Sequence, residues 1–170
     1  PFGSTVHRTP NLERMAREGM KLTHLYAASG VCTPSRAALM TGSYPRRVNL
    51  HKNARGGGVL QPVEPVGLHP SEITIAEMLK ERGYVTGMIG KWHLGYPEAY
   101  HPNKRGYDYS FGLLQGARSY FPMPKNPPHQ IFLLNDKPTP EGGYTTDRIG
   151  DGACDFIRAN KEKPFFLFVS

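Results

Sequence analysis

The sequence predicts an α/β fold in which helices flank a mostly parallel β-sheet. Two apolar runs have the composition of strands buried on both faces, YVTGMIG at residues 84–90 and PFFLFVS at residues 164–170. A segment with helical spacing of its apolar residues leads into each run, and this alternation is typical of parallel sheets. The 170 residues are enough for about one domain.

Four helices are predicted from capping residues and from apolar residues spaced three and four apart. Threonine or serine is expected to cap the first three, proline suits the first turn of two of them, and glycine ends each of these three. The predicted helices run from Thr9 to Gly19, from Thr33 to Gly42, from Ser71 to Gly83 and across residues 145–163.

Two further segments are predicted as strands and two as loops. Apolar residues alternate loosely at 21–28, and residues 130–139 read as a strand that enters a hairpin turn. Proline and glycine without any period mark 43–70 and 96–129 as loops. A surface loop as long as 43–70 is typical of a binding element.

The charge balance favours an anionic partner. Lysine and arginine number 21 against 14 acidic residues, which gives a net charge of +7. The cations are dispersed and are not interleaved with aromatic residues, so nucleic acid is not the expected partner. No apolar run is long enough to span a membrane. Two cysteines are too few for a disulfide framework.

The segment SGVCTPSRAALMTG, residues 29–42, places a cysteine just before a predicted helix. The backbone N–H groups and the dipole at a helix N-terminus stabilise an anion, so Cys32 is a better nucleophile candidate than Cys154. Arg36 lies in the first turn, where a cation is mildly unfavourable, and it is therefore expected to face an anion. A buried structural cysteine beside a surface arginine is the alternative that spacing alone leaves open.

The segment GKWHLG, residues 90–95, places Lys91 and His93 directly after a predicted strand. Ligands of open α/β sheets bind at the carboxyl ends of strands, so this is the expected position of a site. Lysine supplies a positive charge for an oxyanion, and histidine can move a proton at neutral pH. Taken alone, this pair is a weak signal and favours the alternative of a structural histidine and a solvated lysine.

Together the two segments resemble the signatures of a known family. GVCTPSRAALMTG and GYVTGMIGKWHLG are similar, in order and separation, to the two signature segments of the type I sulfatases. TPNLERMAREG, GLHPSEITIAEMLKERGY and HPNKRGYDYSFG resemble the segments around them. The resemblance implies the alkaline-phosphatase-like fold, with residues 1–170 as the amino-terminal part of the catalytic domain, incomplete at both ends.

The resemblance also implies a modified residue. A formylglycine-generating enzyme would read the C-x-P-S-R motif in the unfolded chain and oxidise Cys32 to formylglycine. One hydroxyl of the hydrated aldehyde would attack the sulfur of a sulfate ester and displace the alcohol. The second hydroxyl would then lose its proton, which expels sulfate and regenerates the aldehyde. Arg36 would hold the modified residue, Lys91 would bridge its oxygen and the sulfate, and His93 would be the base for the elimination.

The metal implied by the resemblance is Ca²⁺, with Mg²⁺ as the alternative. Residue 32, as formylglycine, would be one ligand, and the remaining ligands are expected outside this chain. Asp147, Asp151 and Asp155 repeat at a spacing of four, but arginines lie nearby and the opposite helix face is apolar. We interpret them as a solvated helix face. The segment alone is expected to bind metal poorly and to be inactive.

The function expected from these motifs is hydrolysis of a sulfate ester, of arylsulfatase type, on a sulfated sugar, polysaccharide or aryl substrate. A phosphonate or phosphate ester hydrolase of the same superfamily and a non-catalytic anion-binding module are the alternatives. The resemblance to this family also implies that the protein is periplasmic, secreted or lysosomal.

Three further expectations concern residues outside the signatures. Cys154 is expected in the core, and His101 is expected either at the substrate pocket or at the surface. Aromatic residues could stack on sugar rings or pack the loop region; they are Tyr107, Tyr109, Phe111, Tyr120 and Phe121.

Overall fold

A five-stranded sheet organises the molecule, and the computed structural model describes it within residues 3–123, 125 and 127–170. The helices of this part of the chain are α1 (Pro10–Glu18), α2 (Cys32–Thr41), α3 (Ile75–Lys80) and α4 (Thr145–Asn160). The strands are β1 (Val85–Lys91), β2 (Tyr109–Leu113), β3 (Leu133–Leu134), β4 (Lys137–Pro138) and β5 (Phe165–Val169).

The strand order is β4-β3-β2-β1-β5. Strand β1 is central and runs parallel to both neighbours, with Gly87 paired to Tyr109 of β2 and to Leu167 of β5. Strands β3 and β4 form an antiparallel hairpin at the β2 edge. The predicted α/β fold with a mostly parallel sheet is therefore confirmed, and the carboxyl ends of β1, β2 and β5 meet at one edge.

The core lies on both faces of β1. Consecutive residues of a strand point to opposite faces. Met88 packs with Ala37 of α2 and Ala76 of α3, whereas Ile89 packs with Phe156 of α4. The alternation of these apolar side chains thus fixes which helices cover which face and places α2 beside the strand that leads to Lys91.

Several predicted elements agree with the structure. Helix α1 begins at Pro10 and is followed by Gly19, as predicted, and α2 is followed by Gly42 in the left-handed conformation. The predicted hairpin within 130–139 and the final strand are also present. Positions 124 and 126 of the predicted loop 96–129 lie outside the described residues.

Two secondary-structure predictions were wrong. Residues 21–28 form no strand, because their side chains are exposed and no sheet neighbour pairs with them. Strand β2 lies in a segment predicted as loop, and its first four residues alternate between half-buried and buried. Pairing with β1 stabilises these five residues, and local sequence does not encode that pairing.

Two predicted helix caps were also wrong. Val31, and not Thr33, is the N-cap of α2, and the buried Thr33 side chain bonds to other segments. Thr74, and not Ser71, caps α3, in a capping box with Glu77. Glu77 follows Thr74 by three residues, so the sequence carried the signal for the correct cap.

Two predictions of burial need correction. Cys154 is exposed on α4, because the buried side of that helix is formed by Ala153 and Phe156. The segment 43–70 does not lie entirely at the surface, because its residues Leu60 and Leu68 are buried in the core. No helix among the described residues has the length and apolarity needed to cross a bilayer.

Candidate active site

The N-terminus of α2 lies at the sheet edge where the strands end. Cys32 is the first residue of this helix and is half-buried. No side chain of the described residues caps the helix, and its first turn contains no acidic residue. The first N–H groups therefore present their partial positive charge next to position 32. This environment favours an anionic oxygen or sulfur there.

Arg36 joins α2 to the ends of two strands. Its Nη1 donates to the Lys91 carbonyl oxygen at 2.6 Å, and its Nη2 donates to the Ser170 hydroxyl. The guanidinium lies 5.8 Å from the centre of the Phe168 ring. Burial lowers the pKa of Arg36 from its ordinary value, and Cys32 opposes that effect. An arginine nevertheless stays charged at neutral pH.

The segment that follows β1 is fixed by backbone hydrogen bonds. The Lys91 N–H donates to the Ser170 carbonyl oxygen at 3.1 Å, and the His93 N–H donates to the Leu114 carbonyl oxygen at 3.0 Å. Trp92 is buried and its Nε1 donates to the Tyr100 carbonyl oxygen at 2.8 Å. His93 has a φ of +60°, a left-handed conformation that is uncommon outside glycine.

The ring of His93 is buried beside the two cations. Its Nε2 lies 2.9 Å from the Leu60 carbonyl oxygen, whereas its buried Nδ1 has no hydrogen-bond partner among the described residues. Burial lowers the pKa of His93, the Leu60 hydrogen bond opposes this, and the charges of Lys91 and Arg36 lower it further. The imidazole is therefore neutral at pH 7 and can accept a proton.

Lys91 and Arg36 form a positive cluster without a countercharge. The Lys91 side chain is half-buried, and no carboxylate of the described residues forms an ion pair with either cation. Uncompensated charge at a helix N-terminus is the arrangement of an anion site. The four residues predicted from the two signatures, Cys32, Arg36, Lys91 and His93, thus lie at one edge of the sheet.

Four residues of this region were missed by the sequence prediction. Ser170 is the last residue of a predicted strand, so the rule for strand ends would have found it. Thr33 lies inside the first signature. Leu60 contributes only backbone atoms, and Gly116 matters because a Cβ there would lie 2.7 Å from His93 Cε1. No residue-type signal identifies the last two.

His101 lies near the site in a neighbouring cavity. Its Nδ1 is 2.7 Å from Asp136 Oδ1 and its Nε2 is 2.8 Å from the Tyr96 carbonyl oxygen. The cavity that it lines also includes Leu114, whose carbonyl accepts from the His93 N–H. The expectation that His101 lines the substrate pocket stays a prediction.

The comparison with protein families identifies the chain. A family model described as Sulfatase matches residues 2–170. The chain therefore belongs to the sulfatase family, and its sheet is part of the alkaline-phosphatase-like fold of these hydrolases.

Individual relatives agree with this assignment. The chain is 33% identical to mouse steryl-sulfatase, over 99% of the chain and 39% of that protein. It is 45% identical to human N-acetylgalactosamine-6-sulfatase, over 98% of the chain and 35% of that protein. A solved structure, BT4656 in complex with its substrate D-glucosamine-2-N,6-O-disulfate, superposes with a TM-score of 0.74 at 29% identity, covering 99% of the chain and 30% of that structure. The chain thus spans about two fifths or less of these proteins.

Family membership implies formylglycine and calcium, which are typical of sulfatases. Position 32 fits an oxygen-bearing residue, because it lies at a bare helix N-terminus near Arg36. Calcium binds six to eight oxygen ligands. The described residues hold no group of three histidine, cysteine or acidic side chains able to bind a metal, so they do not form a complete calcium site. Asp147, Asp151 and Asp155 are all exposed.

Proposed function

We propose that the full-length protein hydrolyses sulfate esters. The observation that carries this proposal is the uncompensated pair Arg36 and Lys91, which lies with a neutral, buried His93 at the helix N-terminus that begins with Cys32. The sulfate group of an ester is a monoanion that such positive charge binds, and the developing charge of its transition state is stabilised by fixed donors.

Each residue has a distinct part in this proposal. Cys32, oxidised to formylglycine by a maturation enzyme, supplies the nucleophilic oxygen. Arg36 is held by the Lys91 carbonyl and Ser170, so its guanidinium orients the modified residue. The Lys91 ammonium has no ion-pair partner among the described residues and binds the sulfate oxygens. His93 accepts a proton.

A divalent cation, Ca²⁺ with Mg²⁺ as the alternative, would add further positive charge beside the sulfate. Residue 32 is the position of this chain that we assign to it, and we expect the carboxylate ligands outside the described residues, which hold no group of three histidine, cysteine or acidic side chains able to bind a metal. These residues form the amino-terminal part of the catalytic domain, and we expect the segment alone to be inactive.

The substrate class that we propose is a sulfated sugar, polysaccharide or aryl sulfate. The names of the relatives support this choice, since N-acetylgalactosamine-6-sulfatase and the complex with D-glucosamine-2-N,6-O-disulfate both concern sulfated sugars. We place the full-length protein in the periplasm, the lysosome or outside the cell, as expected for a sulfatase.

Mass spectrometry of the tryptic peptide Leu22 to Arg36 tests the proposal. Full-length protein from its native host should carry formylglycine at position 32 and should turn over sulfate esters, with Cys32→Ala as the inactive control. Faster turnover of phosphonate or phosphate esters would favour the alternative hydrolase. A non-catalytic binding module would be favoured by two results together. Cys32 would be unmodified, and the wild-type protein and Cys32→Ala would bind sulfate equally well after removal of the metal.

A further inference from the structure

Three buried residues around the site form a closed ring of hydrogen bonds. The Thr33 hydroxyl lies 3.2 Å from the His93 carbonyl oxygen, and the Leu60 N–H donates to Thr33 Oγ1 at 3.1 Å. His93 Nε2 lies 2.9 Å from the Leu60 carbonyl oxygen. Thr33, Leu60 and His93 are 1%, 5% and 4% exposed, so water does not compete for these bonds.

The chemistry of the backbone groups fixes the direction of every bond in this ring. A backbone N–H can only donate and a carbonyl oxygen can only accept. Thr33 must therefore accept from Leu60 and donate to the His93 carbonyl. Nε2 of His93 must carry the hydrogen that bonds to Leu60. A neutral imidazole has one N–H, so Nδ1 is left with its lone pair.

The Leu60 carbonyl is held in place from both sides. Asn53 Nδ2 donates to the Val59 carbonyl oxygen at 2.6 Å, directly before Leu60. Directly after it, the Gln61 N–H donates to Glu64 Oε2 at 2.7 Å. Asn53 and Glu64 are themselves buried. This stretch of the long loop is therefore a rigid support for the His93 ring.

We propose that Thr33 is a positioning residue that, through Leu60, holds His93 in the Nε2–H tautomer and leaves Nδ1 as the ring nitrogen that accepts a proton. The buried Nδ1 without a partner among the described residues supports this assignment. The inference rests on the proposed function for the use of Nδ1, whereas the tautomer itself follows from the hydrogen bonds.

Nitrogen NMR of the full-length protein with ¹⁵N-labelled histidine tests the tautomer without any need for activity. The His93 signals are assigned by their loss in His93→Gln. We expect a protonated Nε2 and an unprotonated Nδ1. An Nδ1–H tautomer, an imidazolium at pH 7 or an average of two tautomers would overturn the inference. A protein that shows the expected tautomer and no turnover would contradict the proposed function alone.

Two substitutions at Thr33 test its positioning role. Thr33→Val keeps the side-chain volume and removes the hydroxyl, so it should lower kcat by about tenfold or more while KM changes by less than about twofold. Thr33→Ser should retain kcat. Thr41→Val is the matched control, because Thr41 lies on the same helix and donates only within it, to the Ala37 carbonyl.

Formylglycine occupancy must be measured for each variant, since Thr33 lies within the maturation motif, and kcat is expressed per modified molecule. An unchanged kcat in Thr33→Val, an effect on KM alone or an equal loss in Thr41→Val would overturn the role of Thr33. If Thr33→Val does not fold, the nitrogen NMR spectrum of the wild-type protein and the kcat of Thr33→Ser test the proposal instead.

Discussion

Within the part of the chain that the structure describes, arginine guanidinium groups lie over phenylalanine rings in two regions, and the regions differ in what balances the arginine charge. Around Phe132, the guanidinium carbons of Arg118 and Arg148 lie 4.5 and 4.7 Å from the ring centre. Glu141 balances both cations, with Oε2 at 2.6 Å from Arg118 and 3.9 Å from Arg148. The charges of this region are therefore paired within the protein, and the ion pairs connect the loop residues Arg118 and Glu141 to Arg148 of α4.

Around Phe168, the single stacked arginine is Arg36, and its hydrogen bonds go to the Lys91 carbonyl and the Ser170 hydroxyl. Both are uncharged. The Lys91 ammonium adds a second positive charge, and neither cation pairs with a carboxylate within the described part of the chain. The comparison separates an arginine pair whose charge a carboxylate of the chain balances from an arginine whose charge is left for a ligand to balance.

The largest expected effect is at the uncompensated cluster. Lys91→Met should lower kcat/KM for a sulfate ester by about 10²–10³-fold, because it removes a fixed charge next to the reacting anion. Lys80→Met is the control, since Lys80 is paired with Asp108 on the surface. Steady-state kinetics of the full-length protein measure both. Equal losses in the two variants would remove the distinction between paired and unpaired cations.

Exchanging arginine for lysine in both regions tests the comparison directly. Arg36→Lys keeps the charge but loses the fork that reaches Lys91 and Ser170, so it should lower kcat by about tenfold with little loss of stability. Arg118→Lys should keep activity and lower the free energy of unfolding by about 1 kcal/mol, because the fork that donates to both oxygens of the partly exposed Glu141 carboxylate is lost. Kinetics and thermal unfolding of the full-length protein measure the two effects. The opposite pattern would contradict the assignment of the two regions.

The sequence predicts the four candidate site residues that carry reactive or charged side chains, for a physical reason. Cys32, Arg36, Lys91 and His93 lie in two short segments, each at a chain position that topology brings to the same sheet edge. The support of His93 could not be predicted, because Leu60 acts through its carbonyl and any residue has one. The predicted strand at 21–28 was wrong for a similar reason. Loose alternation of apolar residues indicates amphipathic character, but it does not show that another strand is available for pairing.

An effect similar to that of Arg36→Lys is expected from crowding the His93 ring. A Cβ at Gly116 would lie 2.7 Å from Cε1 and 3.0 Å from Nε2 of His93, so Gly116→Ala should displace the ring from Leu60 and lower kcat about tenfold. Kinetics of the full-length variants, with thermal unfolding alongside, measure this. Gly142→Ala is the control, because a Cβ there meets nothing within 4 Å. A fully active Gly116→Ala would show that the ring position is not critical.

The smallest effect concerns the pH dependence of the paired region. The hydrogen bond from Arg118 is the main cause that lowers the pKa of Glu141, against the opposing effect of burial. A carboxyl with a lowered folded-state pKa stabilises the protein above its unfolded pKa, and this stabilisation is lost as the pH falls through the folded-state value. Glu141→Gln should therefore lower the melting temperature by roughly 1 °C at pH 7 and by almost nothing at low pH. Thermal unfolding of the full-length variant against pH, with the exposed Glu162→Gln as control, measures the difference. A constant difference at every pH would show that Glu141 acts through packing, and the contrast between a neutralised and an unneutralised arginine cluster would then lose its electrostatic basis.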